Sequence, residues 1–143
     1  MNKAVKKMGF EGKIYYGVVG STGSTEITNS RDITESFDTG DGDTTVRGAG
    51  TSPPIETSRV VSRKYGIEWQ MTYKSDDTTL LALIAAAVAG NPVAIRTKAF
   101  TSGLGYDGDM NIKYKHGKPL KGEQTLDFSG TPNDDSRDPQ LNV

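Results

Sequence analysis

Few side chains in this sequence could carry out chemistry. The chain has 143 residues, with one histidine and no cysteine. His116 lies in a Lys-His-Gly-Lys run that favours a solvated turn, and no thiol is present to complete a zinc site or a Cys–His pair. The acids at Asp38, Asp41 and Asp43 offer oxygen ligands, but their spacing lacks the closing glutamate of a calcium-binding EF-hand loop. We therefore expect no catalytic residue, no bound metal, no cofactor and no enzymatic activity.

Two other patterns have structural explanations. Gly103, Gly105 and Gly108 lie between two predicted strands, where hairpin geometry explains them better than a phosphate-binding loop, which precedes a helix. Lys113 and Lys115 alternate along a predicted strand, an arrangement that a nucleic-acid-binding surface could use. With 8% aromatic residues and a net charge of -1, a solvated strand edge is the favoured interpretation.

Charge is unevenly distributed along the sequence. Six acids face two arginines between Glu26 and Arg47, a local sum of -4, whereas six bases face two acids between Arg96 and Lys121, a local sum of +4. Opposite poles on one chain would suit head-to-tail contact between copies, although scattered solvated charge is the more ordinary explanation.

The elements that hold these residues are mostly short strands. Alternation of apolar and polar residues predicts strands near 10–19, 26–37, 60–73, 93–100, 109–114 and 123–129. One helix is predicted from about Asp77 to Ala89, with Ser75 or Asp76 as its N-cap and Gly90 just past its end. Its apolar run is too short to span a bilayer, and no membrane association is expected.

The predicted core lies under this helix. Its members are expected to be Trp69, the helical stripe Leu80, Leu81, Ile84 and Val88, and Phe128. The rest of the organisation is an N-terminal arm over residues 1–9, one β-rich domain over 10–130 with a long Gly-rich loop at 38–54, and an extended tail over 131–143.

The order of these pieces resembles the tail tube (major tail) proteins of bacteriophages. The resemblance rests on Gly12-Lys-Ile-Tyr-Tyr-Gly, on Asn29-Ser-Arg-Asp-Ile-Thr before a long acidic loop, and on Glu68-Trp-Gln-Met before the single helix. It ends with Pro119-Leu-Lys-Gly-Glu-Gln-Thr-Leu-Asp-Phe-Ser and spans about Gly9 to Pro132.

The resemblance implies a mainly β fold, a β-sandwich or partial barrel with one flanking helix. It implies a structural virion protein that self-assembles into hexameric rings, which stack into the tail tube in the host bacterial cytoplasm and conduct the genome. The implied partners are other copies of the chain, the tape measure, tail terminator and baseplate or distal tail proteins, and a sheath where one is present. DNA would pass without specific binding.

The resemblance also suggests roles for particular residues. The long loop would reach a neighbouring subunit through Asp38, Asp41, Asp43 and Arg47, and the arms would bridge rings through Lys6, Lys7 and Arg137. A conduit for DNA should not hold phosphate tightly, so Glu35 and Glu68 are candidates to face the lumen. The basic segment, with Lys113 and Lys115, is then expected outside or at a ring interface.

Other classes remain open at this stage. A monomeric carbohydrate-binding or adhesion β-sandwich could have the same strand count, and the tube of a phage-like injection system could share the whole pattern. A small hydrolase is a third alternative.

Overall fold

The computed structural model describes residues 5–48, 50, 52–133 and 139–142, and within them the chain forms one helix and eight strands. A 3₁₀ turn at Gly9–Glu11 precedes the first strand. The strands are β1 (Lys13–Gly17), β2 (Thr25–Glu26), β3 (Ser30–Asp43), β4 (Ser58–Thr72), β5 (Val93–Lys98), β6 (Gly105–Gly117), β7 (Thr125–Pro132) and β8 (Gln140–Asn142), and the helix α1 spans Thr78–Ala89. The chain is mainly β with one helix, as predicted.

All strand pairs are antiparallel, in the order β2-β1-β5-β6-β7-β4-β3, and β8 pairs with the start of β6. β6 joins two halves of the sheet, because it pairs with β5 as far as Met110 and with β7 from Met110 onward. The sheet does not close within the described residues: an open groove of about 1100 Å³ lies between β3 and the β1–β2 edge. The fold is therefore a partial barrel.

The core fills the space between the two halves. Trp69 stacks on Phe128, with ring centroids 5.3 Å apart, and Tyr65 stacks on Tyr106 at 4.2 Å. The buried apolar set comes from five strands (β1, β4, β5, β6 and β7), from α1 and from Ile27 after β2, so both halves of the sheet contribute.

The helix is fixed at both ends by capping contacts. Asp77, and not Ser75 or Asp76, is the N-cap: its Oδ1 accepts a hydrogen bond from the Leu80 amide at 3.2 Å. Asn29 donates from Nδ2 to the other carboxylate oxygen of Asp77 at 3.1 Å. Gly90 ends the helix at φ 74°, a left-handed conformation that glycine adopts without a steric penalty.

Two members of the predicted core stripe are not in the core. Leu80 and Leu83 are buried, and Ile84 packs against the core from a partly buried position, but Leu81 is 43% exposed and Val88 is 74% exposed. Because α1 has no charged residue, its sequence does not show which flank is buried. The predicted stripe therefore included two residues of the exposed flank.

The predicted loop at 38–54 is also wrong over its first third. Residues 38–43 continue β3 and pair with β4 as far as Asp43 opposite Ser58, which leaves only 44–57 as the connection. Gly, Asp and Thr are typical of turns, but here the partner strand supplies the backbone hydrogen bonds that decide the conformation. We call residues 38–43 of β3 together with 58–64 of β4 the ribbon.

Two further predictions change at the C-terminal end. Thr131 and Pro132 belong to β7, and Gln140–Asn142 form β8 on β6, so these residues are strand and not an extended tail. His116 lies within β6 opposite Leu126, and not in a turn, because β6 is longer than the predicted 109–114.

Met1–Ala4 and Arg137 lie outside the described residues. No helix in the described part of the chain has the length and apolar character to cross a membrane.

Candidate assembly surfaces

Besides the short strands β2 and β8 and residues 58–66 of β4, two stretches of strand have a hydrogen-bonded partner on one side only, counting the described residues. β3 is the last strand of the sheet and pairs with β4 alone. β6 from Asn111 to Gly117 pairs with β7 alone, because its pairing with β5 ends at Met110. Unpaired strand edges present rows of backbone N–H and C=O groups that can pair with another chain. These edges are the first candidate assembly surface.

One broad face of the sheet is covered by nothing in the described chain. The register places Thr34 opposite Glu68, Glu68 opposite Ser129, and Ser129 opposite Lys113, so all four side chains share this face. We call it the open face.

A second row of polar side chains lies on the open face. Asp127 is opposite both Gln70 and Lys115 in the register, and its Oδ1 accepts a hydrogen bond from Gln70 Nε2 at 2.9 Å. The face therefore mixes acids, bases and amides along adjacent strands.

The open face contradicts part of the predicted charge arrangement. Glu68 shares it with Lys113 and Lys115, so this glutamate cannot face a lumen while both lysines face away from it. Alternation along each strand was predicted correctly, but which residues of different strands lie side by side depends on the pairing register.

Glu35 and Glu68 lie on opposite faces, so they cannot line the same lumen. Glu35 is opposite Ile67, which is buried in the core. Its carboxylate accepts a hydrogen bond from the Tyr65 hydroxyl at 2.5 Å. This glutamate is therefore part of the body's inner side.

Tyr65 marks the point at which β4 leaves the body. It is the first buried residue of the strand, since Ser58–Lys64 are all exposed. Burial, followed by the hydrogen bond to Glu35, raises the pKa of Tyr65 well above its usual value near 10. Sequence patterning did not identify Tyr65, because a strand tyrosine two residues before Ile67 looks like any other member of the apolar row.

Beyond Tyr65, the ribbon is solvated on both sides. Val60 and Val61 are exposed, and a register shift between Gly40 and Asp41 marks a bulge at this point. An isolated two-stranded hairpin has marginal stability in water. The ribbon therefore lacks the burial that stabilises the body.

Charge on the ribbon is balanced between its two strands. Asp38 is opposite Lys64, and β4 also contributes Arg59 and Arg63 to the segment that carries Asp41 and Asp43. Within the ribbon, three acids are thus matched by three bases, because pairing adds residues from a distant part of the sequence. The Thr45 amide donates a hydrogen bond to the Asp43 carboxylate at the start of the connecting loop. This bond lowers the pKa of Asp43.

The described part of the N-terminal arm is exposed and contacts the body through Lys7. Lys6 and Lys7 are exposed. The ammonium of Lys7 is 3.9 Å from a Glu11 carboxylate oxygen and 4.3 Å from the centre of the Phe100 ring.

His116 and the acids of the ribbon do not form a chemical site. His116 Nε2 is 2.8 Å from Gln124 Oε1, and its ring stacks on Tyr73 at 5.2 Å. Asp38, Asp41 and Asp43 lie on one side of the ribbon, because the bulge between Gly40 and Asp41 leaves them opposite residues that share one side of β4: Lys64, Val60 and Ser58. Among the described residues, no group of three or more acidic or histidine side chains could hold a metal ion.

Sequence comparison finds no matching family model and no curated protein that matches this chain. Solved structures do match. A chain in the tail of an empty gene transfer agent (GTA) particle, refined with helical C6 symmetry, superposes with a TM-score of 0.76 at 16% identity, covering 96% of this chain and all of that one.

Two further structures agree. A chain of the native GTA virion gives a TM-score of 0.73 at 13% identity, covering 96% of this chain and 100% of that one. The SPP1 tail tube gives 0.67 at 11% identity, covering 96% of this chain and 79% of that one. The chain therefore has the fold of phage tail tube proteins, as the resemblance in its sequence predicted.

Proposed function

We propose that this protein is a structural tail tube subunit, whose copies join edge to edge into rings that stack into a tube. The observation that carries the proposal is the pair of free strand edges on β3 and on residues 111–117 of β6. Three antiparallel steps separate β3 from β6, so the two strands run in opposite directions. The free edge of one copy can thus continue the sheet of the next copy with ordinary antiparallel pairing.

Repetition of this contact gives a closed ring. A head-to-tail contact between identical copies closes when the rotation per copy divides a full turn. Six copies are the proposed number, supported by the C6 symmetry of the GTA tail that shares this fold. In such a ring the open face lines the channel, and DNA passes along it without a specific site.

The ribbon is proposed to reach a subunit of the adjacent ring. Its exposure supports this role, with Asp38, Asp41 and Asp43 available on the ribbon and Arg47 on the connecting loop. The partners are then further copies, together with tape measure, terminator and baseplate or distal tail proteins, in a virion assembled in the host cytoplasm. We propose no enzymatic role.

Negative-stain microscopy and sedimentation of the purified chain test the proposal. Sixfold rings or tubes are expected above a threshold concentration. A protein that stays monomeric at every concentration would contradict the proposal, and glycan binding by that monomer would support the carbohydrate-binding alternative.

A shortened ribbon tests the stacking role separately. Gly40 and Ser62 are opposite each other, so residues 41–61 can be replaced by Asn-Gly, a sequence that favours two-residue hairpin turns. We expect single rings in place of tubes, with a circular dichroism spectrum that remains β-rich. Tubes of normal length would refute the ribbon's role.

A further inference from the structure

The outer flank of α1 has an unusual composition for a surface helix. No residue from Thr78 to Ala89 is charged, and the helix packs into the core through Leu80 and Leu83. Its exposed side chains include Leu81, Ala85 and Val88. A surface helix normally carries charged or polar residues opposite its apolar stripe, and an all-apolar helix is usually buried on all sides. One flank of this helix thus lacks the cover that its composition calls for.

The location of α1 indicates where that cover comes from. The helix follows the end of β4 and leads into β5, whose Val93 is opposite Met110. It contacts β6, the strand whose 111–117 stretch has a free edge. The helix therefore packs on the strand that provides the edge at which a second copy would join.

The opposite edge of the sheet carries a matching apolar side chain. Phe37 is opposite Tyr65 in β3, which puts it on the same side of the sheet as the core, and it is 53% exposed. Partly buried Ile33 lies on the same side, opposite Trp69. The core side of β3 is also the side on which α1 lies, because α1 packs on the core.

We propose that the exposed flank of α1 docks on the core side of β3 in a second copy of this chain, where Leu81 and Val88 cover Phe37 and Ile33. The inference rests on the proposed ring. The contact is heterologous, because it joins α1 of one copy to β3 of the next. Each copy therefore takes part in two such contacts, one through α1 and one through β3.

The register supports contact between Val88 and Phe37 in particular. Val88 is in the last turn of α1, shortly before Val93, which is opposite Met110. Met110 is also opposite Pro132, which ends β7 beside the part of β4 where the ribbon begins. Phe37 is in the last row of β3 before the ribbon. Both side chains therefore lie towards the ribbon end of the body.

A matched pair of substitutions tests the docking surface. Val88→Asp would place a carboxylate in the apolar contact, where it loses hydration without gaining a partner. Val18 is 73% exposed against 74% for Val88, and it lies beyond β1 in the other half of the sheet, so Val18→Asp is a control of the same chemistry and exposure. We expect Val88→Asp to raise the concentration needed for rings by at least about tenfold, and Val18→Asp to leave it unchanged.

Cross-linking tests the same contact without depending on stability. The native chain has no cysteine, so a double variant with Phe37→Cys and Val88→Cys carries only the two introduced thiols. A short bis-maleimide reagent should convert assembled protein into a ladder of covalent oligomers up to the hexamer. Phe37→Cys with Val18→Cys should give no ladder.

The outcomes separate this inference from the proposed function. Native rings, together with normal rings of Val88→Asp and no ladder from the double variant, would overturn the docking surface alone. Failure of the native chain to assemble would overturn both proposals.

Discussion

The same two strands behave differently in the body and in the ribbon. In the body, β4 alternates between buried and wetter residues from Tyr65 to Met71, and β3 pairs alongside it. In the ribbon, the pairing continues but every residue of β4 is exposed. Backbone pairing thus extends well beyond the part that the core stabilises. Within this one hairpin, the body has both hydrogen bonding and hydrophobic burial, and the ribbon has hydrogen bonding alone.

The largest expected contrast comes from truncating one apolar residue in each part of β4. Ile67→Ala in the body should lower the free energy of unfolding by about 2–5 kcal/mol, because Ile67 is buried in the core and leaves a cavity. Val61→Ala in the ribbon should change it by less than about 0.5 kcal/mol. Urea unfolding followed by the fluorescence of Trp69 measures both. Equal costs would show that the ribbon is as well stabilised as the body.

Hydrogen exchange should show the same contrast without any substitution. In the monomer, amides of the ribbon should exchange at least about a hundredfold faster than paired amides of β4 in the body, because the ribbon can open without disrupting the core. In assembled tubes the ribbon amides should become protected. Uniform protection along β4 in the monomer would contradict the proposed dependence of the ribbon on a neighbour.

Alkaline pH probes the boundary between the two parts. Tyr65 has a raised pKa in the folded chain, so above pH 10 the unfolded chain loses a proton that the folded chain keeps, and stability falls as pH rises. Tyr65 alone should contribute a loss of about 1.4 kcal/mol per pH unit there.

The matched variant for that measurement is Tyr65→Phe, which keeps the ring and removes the titrating hydroxyl. Its unfolding free energy should fall less steeply between pH 10 and higher pH than that of the native chain. Parallel pH profiles of the two proteins would show that Tyr65 titrates normally in the folded state.

The smallest effect compares two aspartates that each accept a backbone hydrogen bond. Asp77→Ala should cost about 1 kcal/mol, because the Leu80 amide loses its cap partner in the body. Asp43→Ala removes a similar bond to Thr45 in the ribbon and should leave the unfolding midpoint unchanged. A measurable shift for Asp43→Ala would mean that the ribbon folds cooperatively with the body.

Local signals in the sequence predicted much of the body. The helix was predicted from its N-terminal acids and from Gly90, and it differs only in which residue caps it. Trp69, Leu80 and Phe128 are buried, since periodic apolar positions in strongly patterned segments report the core well. The tail tube resemblance pointed to the fold that the structural comparisons share.

The remaining features depend on non-local pairing. The ribbon could not be recognised, because its Gly, Asp and Thr residues become strand only when β4 pairs with them. The faces of Glu35 and Glu68 follow from the register of β3 on β4, which shifts between Ser30 and Ile33. Leu81 and Val88 were misplaced because a helix without charge does not indicate which flank is covered.

The mixed composition of the open face has a consequence for transport. Asp32, Glu68 and Asp127 share a shallow groove there with Lys113 and Lys115, so three carboxylates and two ammonium groups leave it one charge negative per copy. A channel lined this way would present a weak, nearly self-cancelling field to a moving polyanion. In the proposed tube, the speed of DNA passage should therefore vary little with ionic strength, as long as friction at the channel wall limits that speed.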